Sequence, residues 1–229
     1  MTQDFDAVLF DAGGVLVVPD PTVLAPLLSF YGATEDLNTY IRAHYRAMAV
    51  KSENQSAEND WSKYNDAYVE VVGVDAHHRE EASYVLNRTR SAHLWRYRLP
   101  GARETLQALH DAGVPIGIVS NATGQIEQIL GHAGVCQVGH GEHAPVRCII
   151  DSHNVGVAKP DPRIFDFALP HFDGIDKSRI AYVGDSLVMD VGGSRAAGLL
   201  PLLLDPFDDA SHHDVERISS LDQLLLSIK

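Results

Sequence analysis

The sequence predicts an α/β protein whose core is a parallel sheet covered by helices on both faces. Five short apolar runs have the length of buried strands, at residues 7–10, 115–120, 147–150, 180–184 and 199–204. Helical patterns such as "GARETLQALHDAG" and "TGQIEQILGHAG" lie between most of these runs, and each ends in the glycine expected at a helix C-terminus. Because buried strands alternate with helices, we expect a doubly wound parallel sheet.

One long region breaks this alternation. From about Pro19 to Trp95 the chain contains only amphipathic helical patterns, among them "DLNTYIRAHYRAMAV" and "WSKYNDAYVEVVG". We therefore predict a discontinuous core of residues 1–18 and 96–229 and a helical insertion of residues 19–95.

Composition limits the partners of the protein. The chain has 229 residues, 45% of them hydrophobic, and carries 18 basic against 31 acidic residues, for a net charge of -13. This charge disfavours nucleic acid and anionic membranes as partners. No apolar run approaches the roughly 20 residues that span a bilayer. With only two cysteines, Cys136 and Cys148, we expect a cytoplasmic protein in a reducing compartment.

Polar residues follow the apolar runs closely. They are Asp11 after the first run, Ser120 and Asn121 at the end of the second, Lys159 in the loop after the third, and Asp185 after the fourth. Each alone has a structural explanation, such as a helix cap, a loop lysine or a turn residue. Ligands of parallel sheets bind beyond the carboxyl ends of the strands. Because all of these polar residues follow predicted strands, together they predict one site.

Four segments carry a family resemblance. In order, "FDAGGVL", "IVSNAT", "GVAKPDPRIF" and "YVGDSLVMDVGGSRAAGL" resemble the motifs of the haloacid dehalogenase superfamily of hydrolases. The resemblance covers essentially the whole chain, and the helical insertion stands where this family carries an α-helical cap. It implies a Rossmann-like core with a helical cap domain.

The resemblance also implies a phosphatase site. Asp11 would be the nucleophile that forms an aspartyl-phosphate. A Mg²⁺ site would be formed by Asp11, the backbone carbonyl of Gly13, Asp185 and Asp190, the last of which would steady the water on the metal or Lys159. Ser120, Asn121 and Lys159, together with a helix N-terminus, would hold the phosphoryl oxygens. Asp11 and Lys159 are thus the predicted catalytic residues, and the substrate would be a small phosphorylated metabolite.

Gly13 departs from the family pattern. The family commonly has a second aspartate there, which protonates the leaving group and then activates water. A glycine keeps the backbone carbonyl for the metal but removes the acid and base, whose contribution is about 10²- to 10⁴-fold in rate. Turnover then requires a leaving group that departs unprotonated or a substitute acid, for which Asp20 and His44 are candidates.

The sequence leaves two other functions open. Gly13 is compatible with a phosphate-binding or regulatory protein that does not turn over. A metal-independent 2-haloacid dehalogenase would share the aspartate nucleophile and the helical cap. However, dehalogenases usually have a tyrosine at the position of Gly13 and no carboxylate like Asp185, so "GDS" favours a magnesium-dependent phosphatase.

Two further groups of residues are ambiguous. Zinc ligands are offered by Cys136, His140, His143 and Cys148, in a spacing that matches no familiar zinc pattern. Aromatic residues of the insertion fit either its core or a pocket: Tyr31, Tyr40, Tyr45, Tyr64, Tyr68 and Trp61. The sequence does not predict the oligomeric state.

Overall fold

The computed structural model describes residues 5–227, so the first four and last two residues of the predicted core lie outside it. The strands are β1 Ala7–Phe10, β2 Val17–Pro19, β3 Trp95–Arg98, β4 Ile116–Ser120, β5 Cys136–Val138, β6 Ala144–Val146, β7 Ile149–Asp151, β8 Ile180–Gly184, β9 Leu200–Leu204 and β10 Arg217–Ile218. The helices are α1 Pro21–Ser29, α2 Leu37–Glu53, α3 Ser62–Val71, α4 Arg79–Thr89, α5 Ala102–Asp111, α6 Ile126–His132, α7 Ser152–Val155 and α8 Gly193–Ala197.

A six-stranded sheet forms the centre of the fold, in the order β10-β9-β8-β1-β4-β7. Every neighbouring pair is parallel. Alternate residues of β1 enter two apolar clusters: Val8 and Phe10 pack with α5 and α6, whereas Ala7 and Leu9 pack with short helical turns around Phe165. The predicted parallel α/β core is confirmed. Four of the five apolar runs contain a strand of this sheet, and the run 147–150 overlaps β7.

The helical insertion has an apolar cluster of its own. Helices α1 to α4 bury it, and Tyr31, Tyr40, Tyr64 and Tyr68 belong to it, whereas Tyr45 joins the cluster of the core. The aromatic pattern of the insertion is therefore mostly packing. Strands β2 and β3 pair antiparallel and connect the insertion to the core. Both predicted boundaries, 18/19 and 95/96, fall within this ribbon.

The proposed zinc ligands do not come together. Cys136 and Cys148 are free thiols buried in different apolar clusters. Within residues 5–227, three aspartates form the one group of side chains that could hold a metal ion. No helix in that range is both long enough and apolar enough to cross a bilayer.

Candidate active site

One cavity of about 390 Å³ lies where the carboxyl ends of the central strands face the helical insertion. All seven site residues predicted from the sequence line it: Asp11, Gly13, Ser120, Asn121, Lys159, Asp185 and Asp190. The insertion contributes Met48, Lys51, Trp61 and Arg90 to the opposite side. The parallel sheet thus brings together residues that are far apart in the sequence.

Asp11 follows β1 directly and is buried. Its Oδ1 accepts the backbone N–H of Ala12 at 2.7 Å, and its Oδ2 lies 3.0 Å from Nζ of Lys159. Burial raises the pKa of Asp11 to about 7, although the Lys159 ammonium acts in the opposite direction. The carboxylates of Asp190 and Asp185 add to the rise. Asp11 is therefore close to a cation but surrounded by excess negative charge.

Lys159 is fixed by hydrogen bonds on the core side of the cavity. Its Nζ donates to Oδ1 of Asp190 at 2.6 Å and to the hydroxyl of Tyr182 at 2.8 Å. Burial alone lowers the pKa of Lys159, but the carboxylates of Asp11 and Asp190 outweigh it and hold this pKa well above its usual range. Oδ2 of Asp190 accepts the backbone N–H groups at 185–186, at 3.1 and 2.9 Å. Asp190 therefore orients both a charged lysine and the turn after β8.

Ser120 and Asn121 end β4 and meet the site in different ways. The Ser120 side chain acts on Asp11 and lowers the pKa of that carboxyl. In contrast, the Asn121 amide is bonded to the backbone of Lys159, accepting its N–H at 2.8 Å and donating to its carbonyl at 3.0 Å. Asn121 thus fixes the Lys159 loop, and its side-chain amide is already engaged there.

Asp151 was missed by the sequence reasoning. It is buried at the end of β7, and its Oδ2 accepts the backbone N–H groups of Gly124 and Ile126 at 2.8 and 3.4 Å. The helix N-terminus expected to hold phosphoryl oxygens is therefore already occupied by a carboxylate. The sequence does contain a signal for Asp151, because this aspartate directly follows the apolar run 147–150, just as Asp11 follows the run 7–10.

The three aspartates have the chemistry of a divalent-cation site. One carboxylate oxygen from each of Asp11, Asp185 and Asp190 lies within 4.8 Å of the others. Burial raises the pKa of Asp185, as it does that of Asp11, and a cation bound between them would favour the ionised form of both carboxyls. Hard carboxylate oxygens are also the ligands that Mg²⁺ prefers. The residues present therefore fit this ion.

His44 reaches the site from α2. Its Nε2 lies 2.9 Å from Oδ2 of Asp185, and its Nδ1 lies 2.9 Å from the hydroxyl of Tyr64. The ring is fully buried, and both nitrogens have partners. His44 is not among the residues that line the cavity. His44 therefore pairs with the carboxylate of Asp185, and its position does not favour a role as the acid that protonates a leaving group.

Asp20, the other candidate acid, has a structural role. Its Oδ1 accepts the N–H of Thr22 at 2.9 Å and so caps α1, while its Oδ2 pairs with Nε of Arg96 at 2.8 Å. Burial raises the pKa of Asp20, but these hydrogen bonds outweigh it and hold the pKa below its usual value. Asp20 does not line the cavity and is not favoured as an acid.

The space beside Gly13 is filled by an aromatic ring. A Cβ at this position would lie 3.1 and 3.2 Å from two carbons of the Trp95 indole. Trp95 opens β3, lines the cavity, and packs edge-on against His44 with ring centroids 5.5 Å apart. The sequence showed that an acid is missing at 13, and the structure adds that the Trp95 indole lies in tight contact with the place of its Cβ.

Comparison with known proteins identifies the family. A family model described as haloacid dehalogenase-like hydrolase matches residues 5–198. The chain belongs to this family. The resemblance inferred from the four motifs is thereby confirmed for this haloacid dehalogenase-like hydrolase.

Curated relatives of this hydrolase differ in activity. Haloacid dehalogenase-like hydrolase domain-containing protein 3 of Mus musculus is 35% identical over 56% of this chain and 50% of its own. Pyrimidine 5'-nucleotidase YjjG of Escherichia coli is 33% identical over 56% of each chain. (S)-2-haloacid dehalogenase 1 of Pseudomonas sp. is 24% identical over 97% of each. The chain thus spans about half the length of the first two relatives.

Solved structures share the fold of this hydrolase over nearly its whole length. A HAD phosphatase from Thermococcus onnurineus superposes with a TM-score of 0.60 at 22% identity, covering 98% of this chain and 99% of the other. A dehalogenase superposes with a TM-score of 0.57 at 18% identity, covering both chains completely. At these identities the likeness shows the fold alone.

Proposed function

We propose that this protein hydrolyses a small phosphate monoester in a magnesium-dependent reaction through an aspartyl-phosphate on Asp11. The pairing of Asp11 with Lys159 at 3.0 Å, on the wall of a cavity that also holds Asp185 and Asp190, carries this proposal. The family includes relatives named as phosphatases, such as phosphoserine phosphatase of Thermus thermophilus, 28% identical over 72% of this chain. Both cysteines are free, which agrees with a cytoplasmic location.

The first step is displacement at phosphorus. An oxygen of the Asp11 carboxylate attacks, the bond from phosphorus to the ester oxygen breaks, and the leaving group departs as an alkoxide or phenoxide. Lys159 remains protonated beside Asp11 and offsets charge on the phosphoryl oxygens, and Ser120 lines the cavity on the same side and offers a hydroxyl donor. Mg²⁺ held by Asp11, Asp185 and the carbonyl of Gly13 would neutralise negative charge and ionise Asp11.

The second step regenerates the enzyme. Water attacks the phosphorus of the aspartyl-phosphate, the bond to Asp11 breaks, and the two protons of water leave with the phosphate as dihydrogen phosphate. Asp190 keeps Lys159 in place through the 2.6 Å hydrogen bond. The chain thus returns to the free Asp11 carboxylate.

The absence of an acid at residue 13 limits which leaving groups can depart quickly. Because residue 13 is a glycine against which the Trp95 indole packs, the departing oxygen receives no proton from this position. A leaving group of low pKa, such as a phenoxide, tolerates that loss better than an alkoxide does. We therefore propose that substrates with good leaving groups turn over fastest.

A test measures phosphate release from aryl and alkyl phosphates with and without Mg²⁺. Wild type, Asp11→Asn and the control Asp173→Asn are compared; Asp173 is exposed and lies outside the cavity. We expect release to require both Mg²⁺ and Asp11 and to fall with rising pKa of the leaving group. Asp173→Asn should match wild type.

Measurements of halide release and of ligand binding, made beside the phosphate assay, separate the alternative functions. Similarity to (S)-2-haloacid dehalogenase 1 over 97% of the chain makes dehalogenation the second candidate. Halide release from 2-haloacids without added metal, and no phosphate release, would favour it. Folded protein that binds Mg²⁺ and phosphate but releases neither product would favour a binding or regulatory role.

A further inference from the structure

The side of the cavity formed by the helical insertion contains a cation stacked on an indole. The guanidinium carbon of Arg90 lies 3.9 Å from the ring centroid of Trp61 and 5.1 Å from that of Tyr64. Its Nη2 donates to Oδ1 of Asn65 at 2.5 Å. Both Arg90 and Trp61 line the cavity that Asp11 lines. The guanidinium is thus held in one plane beside the space for a ligand.

The Arg90 guanidinium has no carboxylate partner within residues 5–227. Among the ion pairs of the described residues, none involves Arg90. Its Nε is buried without a hydrogen-bond partner. A half-buried guanidinium without a charged partner is poorly solvated. An anion bound against it would replace the interactions with water that the charge has lost.

The surroundings of Arg90 add a second positive charge. Nζ of Lys51 lies 4.5 Å from the ring centroid of Trp61 and donates to the backbone carbonyls at 57, 58 and 60, at 2.7, 3.1 and 2.8 Å. It too forms no ion pair within residues 5–227. Glu58 is half-buried and also lines the cavity, and the carboxylates of Glu58 and Asp60 act to raise the pKa of Lys51, against the larger effect of burial, which lowers it. Of the two cations, Arg90 is therefore the one without a nearby carboxylate in the described part of the chain, and it lines the same cavity as the acidic cluster of the core.

Unsatisfied polar atoms point to the same cavity. Five buried side-chain atoms in the described part of the chain lack a hydrogen-bond partner, and two of them belong to cavity-lining residues: Nε of Arg90 and Oε1 of Gln125. Such atoms are rare in folded proteins because each costs free energy. Two of the residues that line this cavity therefore carry a polar atom without a partner, as a site for a polar ligand would.

We propose that Arg90, stacked on Trp61, forms a subsite for a second anionic group on the leaving portion of the substrate, either a carboxylate or a phosphate. This inference rests on the proposed function, which places the transferred phosphoryl group at Asp11. The preferred substrate is then a phosphate monoester that carries another negative charge. A neutral leaving group of the same size would leave the guanidinium without a counter-charge.

Non-hydrolysable ligands test the subsite without turnover. The probes are benzylphosphonate, 4-carboxybenzylphosphonate and the bisphosphonate with a second phosphonomethyl group in the para position. Calorimetry in the presence of Mg²⁺ measures their affinity for wild type, Arg90→Met and Arg90→Lys. The control is Arg88→Met, because Arg88 lies in the last turn of α4, two residues before Arg90, but is exposed and outside the cavity.

We expect wild type to bind at least one of the ligands with a second anion about tenfold or more tightly than benzylphosphonate, as a charged hydrogen bond predicts. Arg90→Met should abolish this preference and keep the affinity for benzylphosphonate. Arg88→Met should retain the preference, and Arg90→Lys should retain part of it. The ligand whose affinity exceeds that of benzylphosphonate shows whether the subsite prefers a carboxylate or a phosphate.

Equal binding of all three ligands by wild type would overturn the subsite, whatever the stability of the variants. A preference that persists in folded Arg90→Met would also overturn it. Failure of the proposed function looks different: no phosphate ester would be hydrolysed, while the preference for a second anion would remain.

Discussion

The imidazole of His44, on helix α2 of the insertion, lies 2.9 Å from the carboxylate of Asp185, which follows strand β8 of the core. The contact joins the two parts of the protein at a residue of the candidate metal site. His44 also holds the pKa of Asp185 down against the effect of burial, which raises it. The insertion therefore contributes directly to the charge balance of this site.

His44→Ala should destabilise the metal-free protein by about 2–4 kcal/mol, because it removes a buried ring and leaves the Asp185 carboxylate without its partner. Mg²⁺ should then raise the Tm of the variant more than that of wild type, since the ion takes over the compensation of charge. His44→Gln retains a donor and is the control. Thermal unfolding with and without Mg²⁺ measures both effects, and equal Mg²⁺ shifts in all three proteins would contradict the prediction.

Gly14→Ala should disrupt the site. Gly14 has φ +73°, and a Cβ there would lie 1.9 Å from Oδ2 of Asp185 and 2.7 Å from Nε2 of His44. Backbone strain alone costs about 1–2 kcal/mol, and the contact with Asp185 adds to it. We expect a lower Tm and no stabilisation by Mg²⁺. Gly131→Ala, in helix α6 with nothing within 4 Å of its Cβ, is the control and should unfold no earlier than wild type.

Gly13→Asp should not restore an acid by itself. The new side chain meets the Trp95 indole 3.1 Å from its Cβ, so we expect a loss of about 1–3 kcal/mol through overpacking. Combined with Trp95→Ala, the same substitution has room, and hydrolysis of alkyl phosphates should rise about 10²-fold or more over Trp95→Ala alone. Unfolding and kinetics of the four proteins measure the coupling. Additive effects of the two substitutions on stability would show that the indole is not the obstacle.

The two cysteines should resist alkylation in the folded protein. Burial raises the pKa of both Cys136 and Cys148 to about 12, so at pH 8 only about one thiol in 10⁴ is a thiolate. Iodoacetamide at pH 8 should leave the native chain unmodified and add two groups after unfolding in urea, as intact mass shows. Lys177→Cys, at an exposed position, is the positive control.

These thiols also predict how stability changes with pH. Their folded pKa lies above the unfolded value of about 8.5, so their contribution is fully present below that pH and is lost as pH rises towards 12. The urea midpoint of wild type should therefore fall between pH 8 and pH 10 by more than that of Cys136→Ala. Equal falls would show that ionisation of Cys136 does not contribute.

Local pattern predicted the elements of the core well. The run "AVLF" is strand β1 with all four residues buried, and "GARETLQALHDAG" contains α5. These patterns succeed because burial of a strand or one face of a helix is encoded in neighbouring residues. Strand β10, with two residues, and the ribbon of β2 and β3 were not predicted, because their pairing depends on distant partners.

The sequence by itself determined which residues gather at the site, from Asp11 to Asp190, because carboxyl ends of parallel strands meet at one edge of a sheet. Only the tertiary structure decided what surrounds them. His44 at Asp185, Trp95 over Gly13 and Arg90 on Trp61 come from the insertion, whose position over the core depends on packing between separate elements. Such packing is long-range, and no local spacing of residues encodes it.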